Sequence, residues 1–206
     1  METKKDNTEE KILAAATNVF VTKGMDGARM QEIADEAGIN KALLHYYFRS
    51  KERLFEAIFS GIIEFAFPKL TQILLSDIPM ITKIELVIDA YMNLLIKHPF
   101  IPGFLIKEMN RDPSGLFKLV VKFGLNPQGI ADKIQEAMDR GEIIKMDPRH
   151  LAINVVSMCV FPFAARPILS FVIFKDDAKA LEAFYAERAE VIKKFVIDAI
   201  VIKNQT

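Results

Sequence analysis

The chain has 206 residues, a formal net charge of zero and 51% hydrophobic residues, which makes it too apolar for a disordered chain and too rich in charge for a protein with several membrane spans. Its single cysteine, Cys159, excludes an internal disulfide framework and a thiolate cluster for zinc or iron–sulfur. The first ten residues are polar and show no secretory signal, so we expect a cytoplasmic protein. This length allows one large domain or two smaller ones.

The hydrophobic spacing is helical nearly throughout and predicts an all-α fold. The first helix is expected to begin at Asn7 or Thr8, whose side chains accept hydrogen bonds from the free amides of a first turn. Gly24 is expected to end this helix, because glycine readily adopts the left-handed conformation past a helix end. A short second helix is predicted over about residues 30–36.

The segment from Met30 to Phe48 has the pattern of a helix-turn-helix. Gly38 is expected to end the second helix, and Asn40 is placed to cap a third helix. Residues 41–53 carry four Lys or Arg against one Glu, whereas the preceding 40 residues hold five basic and eight acidic residues. The third helix is expected to direct outward small, apolar, aromatic and cationic side chains that suit a DNA major groove and its phosphates, namely Lys41, Ala42, Leu43, His45 and Tyr46.

A longer helix is predicted after Ser50, and it continues well past residue 60. Prolines then recur along the chain with helix-length segments between them, and each proline favours a helix boundary, a kink or a first helical turn. We therefore expect two domains, a three-helix unit over residues 1–53 and a larger helical domain over 54–206. The helices predicted in the second domain are approximately 81–98, 101–110, 115–124, 128–140, 148–166 and 176–203.

The stretch Leu151–Phe174 is apolar enough to raise the possibility of a membrane span. Arg166 and two prolines fall inside it, and a central Arg is costly in lipid. We therefore interpret the stretch as a helix buried on several sides in a globular domain, and we expect no membrane partner.

No catalytic pattern is present outside residues 1–53. The three histidines form no His-Glu-x-x-His motif, the glycines at 124 and 129 are not followed by the lysine of a phosphate loop, and no Gly-x-Ser-x-Gly occurs. We expect neither an enzyme nor a bound cofactor or metal. A helical protein with an enzymatic role, or with a binding role that does not involve DNA, is the alternative.

The N-terminal part of the chain resembles the DNA-binding domain of the TetR family of transcriptional regulators. The resemblance covers about residues 8–60 and rests on three runs of residues. These runs are Ile-Leu-Ala-Ala-Ala with Val19-Phe20, then Lys23-Gly24 with Ile33-Ala34 and Ala37-Gly38-Ile39-Asn40-Lys41, and finally Leu44-His45-Tyr46-Tyr47-Phe48-Arg49-Ser50-Lys51-Glu52-Arg53-Leu54.

The resemblance implies that residues of the third helix and the start of the fourth contact DNA. Lys41 matches the family's recognition-helix lysine, and Lys51 matches a phosphate-binding lysine. The other residues that match DNA-contacting positions are Ala42, His45, Tyr46 and Tyr47.

Two positions depart from the family pattern. The family usually opens its second helix with Thr or Ser, whereas this chain has Ala28-Arg29, so Arg29 is expected to supply a charged contact in place of the missing cap. Leu43 stands where a hydrogen-bonding residue is usual. It cannot bond a base edge, although it can touch a thymine methyl.

The resemblance further implies a homodimeric, ligand-responsive regulator, a repressor that a small, largely apolar effector releases from a palindromic operator in double-stranded DNA. An activator would have the same sequence features. Candidate effector-pocket residues, for each of which a place in the plain core is the alternative, are Phe67, Tyr91, Leu95, Phe104, Phe123, Met158 and Phe161. The last helix carries an apolar stripe formed by Leu181, Phe184, Tyr185, Arg188, Ile192 and Phe195. We expect it, together with the 148–166 helix, at a four-helix dimer interface, and packing within one chain is the alternative.

Overall fold

The computed structural model describes residues 2–122, 124 and 126–202, and all regular elements in this part of the chain are helical. The chain divides into two compact units, the first ending at Phe65 and the second beginning at Ala66. The helices are α1 (Glu2–Gly27), α2 (Met30–Glu36), α3 (Lys41–Tyr47), α4 (Lys51–Leu75), α5 (Met80–Lys97), α6 (Ile101–Arg111), α7 (Pro113–Lys122), α8 (Pro127–Asp139), α9 (Pro148–Ala164), α10 (Arg166–Ile168), a π-helical turn (Leu169–Ile173) and α11 (Ala178–Ile200).

Helix α1 begins at Glu2, so the expected start at Asn7 or Thr8 is wrong. The preceding Glu-Thr-Lys-Lys-Asp segment contains no proline or glycine, and nothing in it stops the helix from extending toward the N-terminus. The expected end is confirmed, because Gly24 leaves the helical region with φ 67° and ψ 172°. A single further turn reaches Gly27.

The core of the first unit joins α1 and α2 to the beginning of α4. Phe20 and Phe55 are fully buried, and their ring centroids lie 5.1 Å apart. Leu54 is also fully buried, and Ile58 and Phe59 are nearly so. The compact unit therefore runs past the boundary expected at residue 53, because α4 supplies apolar side chains that α1, α2 and α3 need to close their core.

In the second unit, α11 packs against α5 and α9, and α9 also contacts α6 and α8. The ammonium of Lys193 on α11 lies 3.0 Å from the carboxylate of Asp89 on α5. The Tyr185 hydroxyl donates to the carbonyl oxygen of Pro162 over 2.8 Å, and the Tyr185 ring stacks on that of Phe163 with centroids 4.5 Å apart. These contacts hold α9 and α11 side by side.

The apolar stretch 151–174 forms α9 and, after a bend of 61°, the segment 166–173. Its expected burial on several sides is wrong for the single chain. Buried residues of α9 recur every four positions, so one face packs inward while the opposite face stays exposed. The large exposed apolar residues of this stretch are Ile153, Val156, Phe161, Ile168, Phe171, Val172 and Ile173.

Two helical segments have the length and apolarity to cross a bilayer, namely α4 and the bent pair made of α9 and residues 166–173. Core helices of globular proteins share this property.

Candidate nucleic-acid interface and apolar cavity

The turn between α2 and α3 depends on two local features predicted from the sequence. Gly38 has φ 66°, a conformation that side chains disfavour, and its N–H donates to the carbonyl oxygen of Asp35 over 3.1 Å. The Asn40 side chain accepts from the N–H of Leu43 over 2.8 Å and caps α3. The buried Ile33, Ala34 and Leu44 fill the space between the two helices. The helix-turn-helix is therefore present, with α3 as its second helix.

Helix α3 presents most of its surface to solvent. Leu44 is its one fully buried residue, and Phe48, just after its end, is also buried. Tyr46 is 72% exposed. Its ring makes an edge-to-face contact with the ring of the half-buried Tyr47, with centroids 5.6 Å apart. The other exposed residues of α3 are those expected at the interface, Lys41, Ala42, Leu43 and His45.

The His45 ring is oriented by the chain that follows α3. Its Nδ1 lies 3.3 Å from the carbonyl oxygen of Arg49. Because a carbonyl oxygen only accepts, Nδ1 carries a hydrogen and Nε2 is left as the atom that a ligand would meet. Neutral His45 thus offers an acceptor at Nε2, and protonated His45 offers a donor suited to a phosphate.

Lys51 is engaged with the protein itself. Its Nζ donates to the carbonyl oxygens of Asp26 and Ala28 over 3.3 and 3.2 Å. The ammonium therefore ties the start of α4 to the link between α1 and α2, and one of its three N–H groups is left for a phosphate. The expected description of Lys51 as a phosphate contact is incomplete, because it also fixes the position of α2.

Replacing Lys51 with alanine is expected to lower stability by about 1 to 2 kcal/mol, because two carbonyl groups lose a charged donor. Replacing Lys41 with alanine is the matched control, since Lys41 is an exposed lysine of the same unit. Thermal unfolding followed by circular dichroism measures both. Equal melting temperatures for the two variants would show that the Lys51 contacts contribute nothing.

The start of α2 lacks the usual hydroxyl cap, as the sequence predicts, and Glu32 takes over part of that role. The Arg29 N–H donates to the Glu32 carboxylate over 3.3 Å, and Lys23 lies 3.0 Å from the same carboxylate. The hydrogen bond from Lys23 lowers the pKa of Glu32. A carboxylate at this helix end opposes a phosphate there. Lys23 pairs with this carboxylate, and the exposed Arg29 adds a second positive charge near it.

The second unit contains a cavity of about 190 Å³ between α4, α5, α8 and α9. Nearly all of the surface that faces the cavity is apolar, although Lys83, Tyr91 and Cys159 are among the residues that line it. Two residues expected at a pocket, Phe67 and Tyr91, line it. Other lining residues are Leu70, Ile84, Ile134 and Val155.

The remaining candidate pocket residues do not line this cavity. Leu95 and Phe104 are buried elsewhere, and Met158 is half-buried. Phe161 is 62% exposed, because it lies two residues beyond Cys159 and therefore on the opposite face of α9. Phe123 lies outside the described residues. Sequence reasoning missed Lys83, although a single charge on the apolar face of α5 is a signal visible in the sequence.

Burial keeps the Tyr91 phenol and the Cys159 thiol neutral. It raises the pKa of Tyr91 to about 12 and that of the Cys159 thiol to about 11. Neither group ionises at physiological pH, so the lining offers no negative charge. Among the described residues, no three His, Cys, Asp or Glu side chains come together as a metal site would require.

Cys159 is expected to react with Ellman's reagent more than about 100-fold more slowly in the folded protein than in urea at pH 8, because only the thiolate reacts and its pKa is raised. Its complete burial adds a steric barrier. Absorbance of the released thiolate measures the rate, and the unfolded chain is the control. Similar rates in the two states would contradict the burial of this side chain.

The stripe expected at a dimer interface divides between two environments. Leu181, Tyr185 and Ile192 are buried within the chain, so their assignment to an intermolecular surface is corrected. They lie on the face of α11 that packs on α5 and α9. Phe184 and Arg188 are half-buried, with the guanidinium 5.5 Å from the ring centroid. Phe195 is 64% exposed, and Val191 nearby is also exposed.

The comparisons with known proteins agree with these observations. Residues 12–58 match the profile of the bacterial regulatory proteins of the tetR family. The chain is 24% identical to the "Probable HTH-type transcriptional regulator YttP" of Bacillus subtilis (strain 168), over 93% of each chain. A TetR/AcrR-family transcriptional regulator from Thermobifida fusca superposes with TM-score 0.66 and 16% identity, over 93% of this chain and 97% of that one. FadR from Bacillus subtilis, solved in complex with stearoyl-CoA, superposes with TM-score 0.58 and 18% identity, over 89% of this chain and 96% of that one.

Proposed function

The chain belongs to the TetR family of bacterial regulatory proteins, which are DNA-binding transcriptional regulators, and from this premise we propose that it is a homodimeric, cytoplasmic repressor released from a near-palindromic operator by a small, largely apolar effector. The observation that carries the proposal is the pairing of two features in one chain. The first unit exposes the groove-compatible face of α3, and the second unit holds an apolar cavity. The family match favours a regulator over the enzymatic alternative.

The proposed recognition helix is α3. Lys41, Leu43 and Tyr46 are exposed, so they are available to enter a major groove. Lys41 supplies a cation for guanine edges or phosphates, and Leu43 supplies an apolar surface for a thymine methyl. The proposed flanking contacts are Arg29, Ala42, His45, Tyr47 and the remaining N–H of Lys51.

The proposed dimer uses the exposed apolar face of α9 and α11. Phe161 and Phe195 are large, apolar and mostly exposed in the single chain, and monomeric proteins rarely leave many such residues uncovered. A twofold copy that covers them gives a dimer that carries two copies of α3. Twofold symmetry then sets half-sites about 34 Å apart or a multiple of that distance.

The proposed effector site is the cavity of the second unit. Phe67 and Leu70 of α4 line it, while Leu54 and Phe55 of the same helix belong to the core of the first unit. An effector that displaces α4 would therefore change the placement of α3. This is allosteric only if the effector binds the DNA-free state more tightly than the DNA-bound state. FadR from Bacillus subtilis, which shares this fold, was solved in complex with stearoyl-CoA, and this supports ligand binding as a property of the proposed regulator.

Selection from a random duplex pool followed by sequencing tests the proposal. The wild-type protein is expected to enrich a palindromic sequence, and a Lys41→Ala/Tyr46→Ala variant is expected to enrich none. A reporter gene carrying the enriched sequence then shows whether the protein represses or activates. A folded, dimeric protein that enriches no sequence would contradict the proposed operator binding.

A further inference from the structure

Lys83 stands out as a buried cation at one end of the cavity. It is 7% exposed, and it lines both the apolar cavity and a polar recess formed by residues around Pro79, Lys133 and Glu142. Its Nζ donates to the carbonyl oxygen of Leu74 over 3.0 Å. No carboxylate among the described residues lies within 4.0 Å of this ammonium. Two of its three N–H groups therefore lack a described protein acceptor.

The other charges of the recess are already paired. Lys133 lies 2.7 Å from Glu136, and Arg140 lies 2.7 Å from Glu142. Glu142 also accepts from the N–H of Met80 at the start of α5 over 2.9 Å. Lys83 is thus the cation of this region whose hydrogen-bond partner is a backbone carbonyl. Its charge helps to lower the pKa of Glu142, after the hydrogen bonds from Met80 and Arg140, but the two side chains do not form an ion pair within 4.0 Å.

We infer that the chain binds a monoanionic amphiphile at Lys83, with its carboxylate in the polar recess on the Lys83 ammonium and its apolar tail in the cavity among Phe67, Ile84 and Val155. This inference deepens the proposed function and rests on it, because it names the chemical class of the effector. A ligand carboxylate completes the hydrogen bonds of a buried cation, and a tail fills a space in which water has few polar partners.

The recess selects against ligands with several negative charges. Asp77, Glu136 and Glu142 line it, and they balance Lys83, Lys133 and Arg140 in number. A single carboxylate meets one unpaired cation, whereas each further phosphate would meet acidic groups and cations that are already paired. The ligand is therefore a free carboxylic acid in its ionised form, and not its coenzyme A thioester.

The size of the cavity limits the tail. Its volume of about 190 Å³ exceeds the ~150 Å³ cavity that takes up benzene and falls below the ~300 Å³ at which sites for drug-sized ligands begin. We therefore expect tails of medium length, such as those of octanoate and decanoate, to bind better than the longer palmitate.

Isothermal titration calorimetry on the full chain tests this assignment, with hexanoate, octanoate, decanoate and palmitate as probes and octanol and decanol as uncharged counterparts. The wild-type protein is expected to bind octanoate or decanoate about tenfold or more tightly than the matching alcohol. Lys83→Met is expected to remove this preference while keeping the affinity for the alcohol. Lys83→Arg is expected to restore it.

Lys133→Met is the matched control, because it removes a cation of the same recess that already has a carboxylate partner. It is expected to leave the carboxylate preference unchanged. Ala152→Phe, which adds a ring to a cavity-lining position, is expected to abolish binding of acids and alcohols alike. Thermal unfolding of each variant confirms that it is folded.

Three outcomes would overturn the inference, namely no binding of any carboxylate, an undiminished preference in folded Lys83→Met, or tighter binding of octanoyl-CoA than of octanoate. Operator binding is measured separately. A protein that binds operator but no carboxylate refutes this inference and does not contradict the proposed regulatory function. A protein that binds carboxylate with unchanged operator affinity supports the site and refutes its role as the effector site of the proposed function.

Discussion

Alanine at both Lys41 and Tyr46 is expected to lower the affinity for the selected operator by at least about 100-fold. Each side chain is exposed on α3, and an interaction with a base or a phosphate typically contributes about 1 to 3 kcal/mol. In a dimer, each substitution acts at both half-sites. Because neither side chain belongs to the core, the melting temperature is expected to stay unchanged.

Fluorescence anisotropy titrations at several salt concentrations measure this decrease in affinity. Removing the Lys41 charge is expected to make the salt dependence shallower by about one unit of slope for each phosphate that is no longer neutralised. Glu9→Ala, an exposed change on α1, serves as the control and is expected to bind like the wild type. Wild-type affinity in the folded double variant would contradict the assignment of α3 as the DNA-reading helix.

Glutamate at Phe195 is expected to convert the protein from a dimer to a monomer at micromolar concentration. Phe195 is mostly exposed in the single chain, and the proposed dimer covers it. Twofold symmetry introduces two carboxylates into one apolar interface, where neither has a partner, at a cost of several kcal/mol. Glutamate at Phe161 is expected to act in the same way.

Sedimentation equilibrium measures the association of these variants. Phe117→Glu is the matched control, because Phe117 is another exposed phenylalanine of the second unit but lies on α7. It is expected to remain dimeric. Monomeric variants are also expected to bind a full operator only weakly, since one α3 then reads one half-site. A monomeric Phe117→Glu beside dimeric Phe161 and Phe195 variants would place the interface on α7.

Several features of the DNA-reading region follow from the sequence because they depend on neighbouring residues. The left-handed glycines at 24 and 38 and the Asn40 cap act over a few positions of the chain. The outward face of α3 follows from helical spacing once Leu44 is recognised as its buried residue. Local geometry of this kind allowed the helix-turn-helix and its exposed residues to be predicted.

Longer-range contacts were not predictable from the sequence in the same way. Lys51 bonds to carbonyl groups 23 and 25 residues earlier in the chain, so its structural role depends on how α1, α2 and α4 pack. Lys83 likewise bonds to a carbonyl group of another helix, and only the packing of α4 and α5 shows that its ammonium is buried.

The sequence by itself determined most of the helices, the turn and the resemblance of the N-terminal part to a family, because these depend on local spacing and on a specific run of residues. Only the tertiary structure decided which apolar residues fill the core, line the cavity or face outward. Leu95 is buried in the core, Tyr91 lines the cavity and Phe161 faces outward, although each is apolar or aromatic and lies on a predicted helix. The periodicity of a helix identifies an apolar face, but the neighbouring helices determine what that face meets.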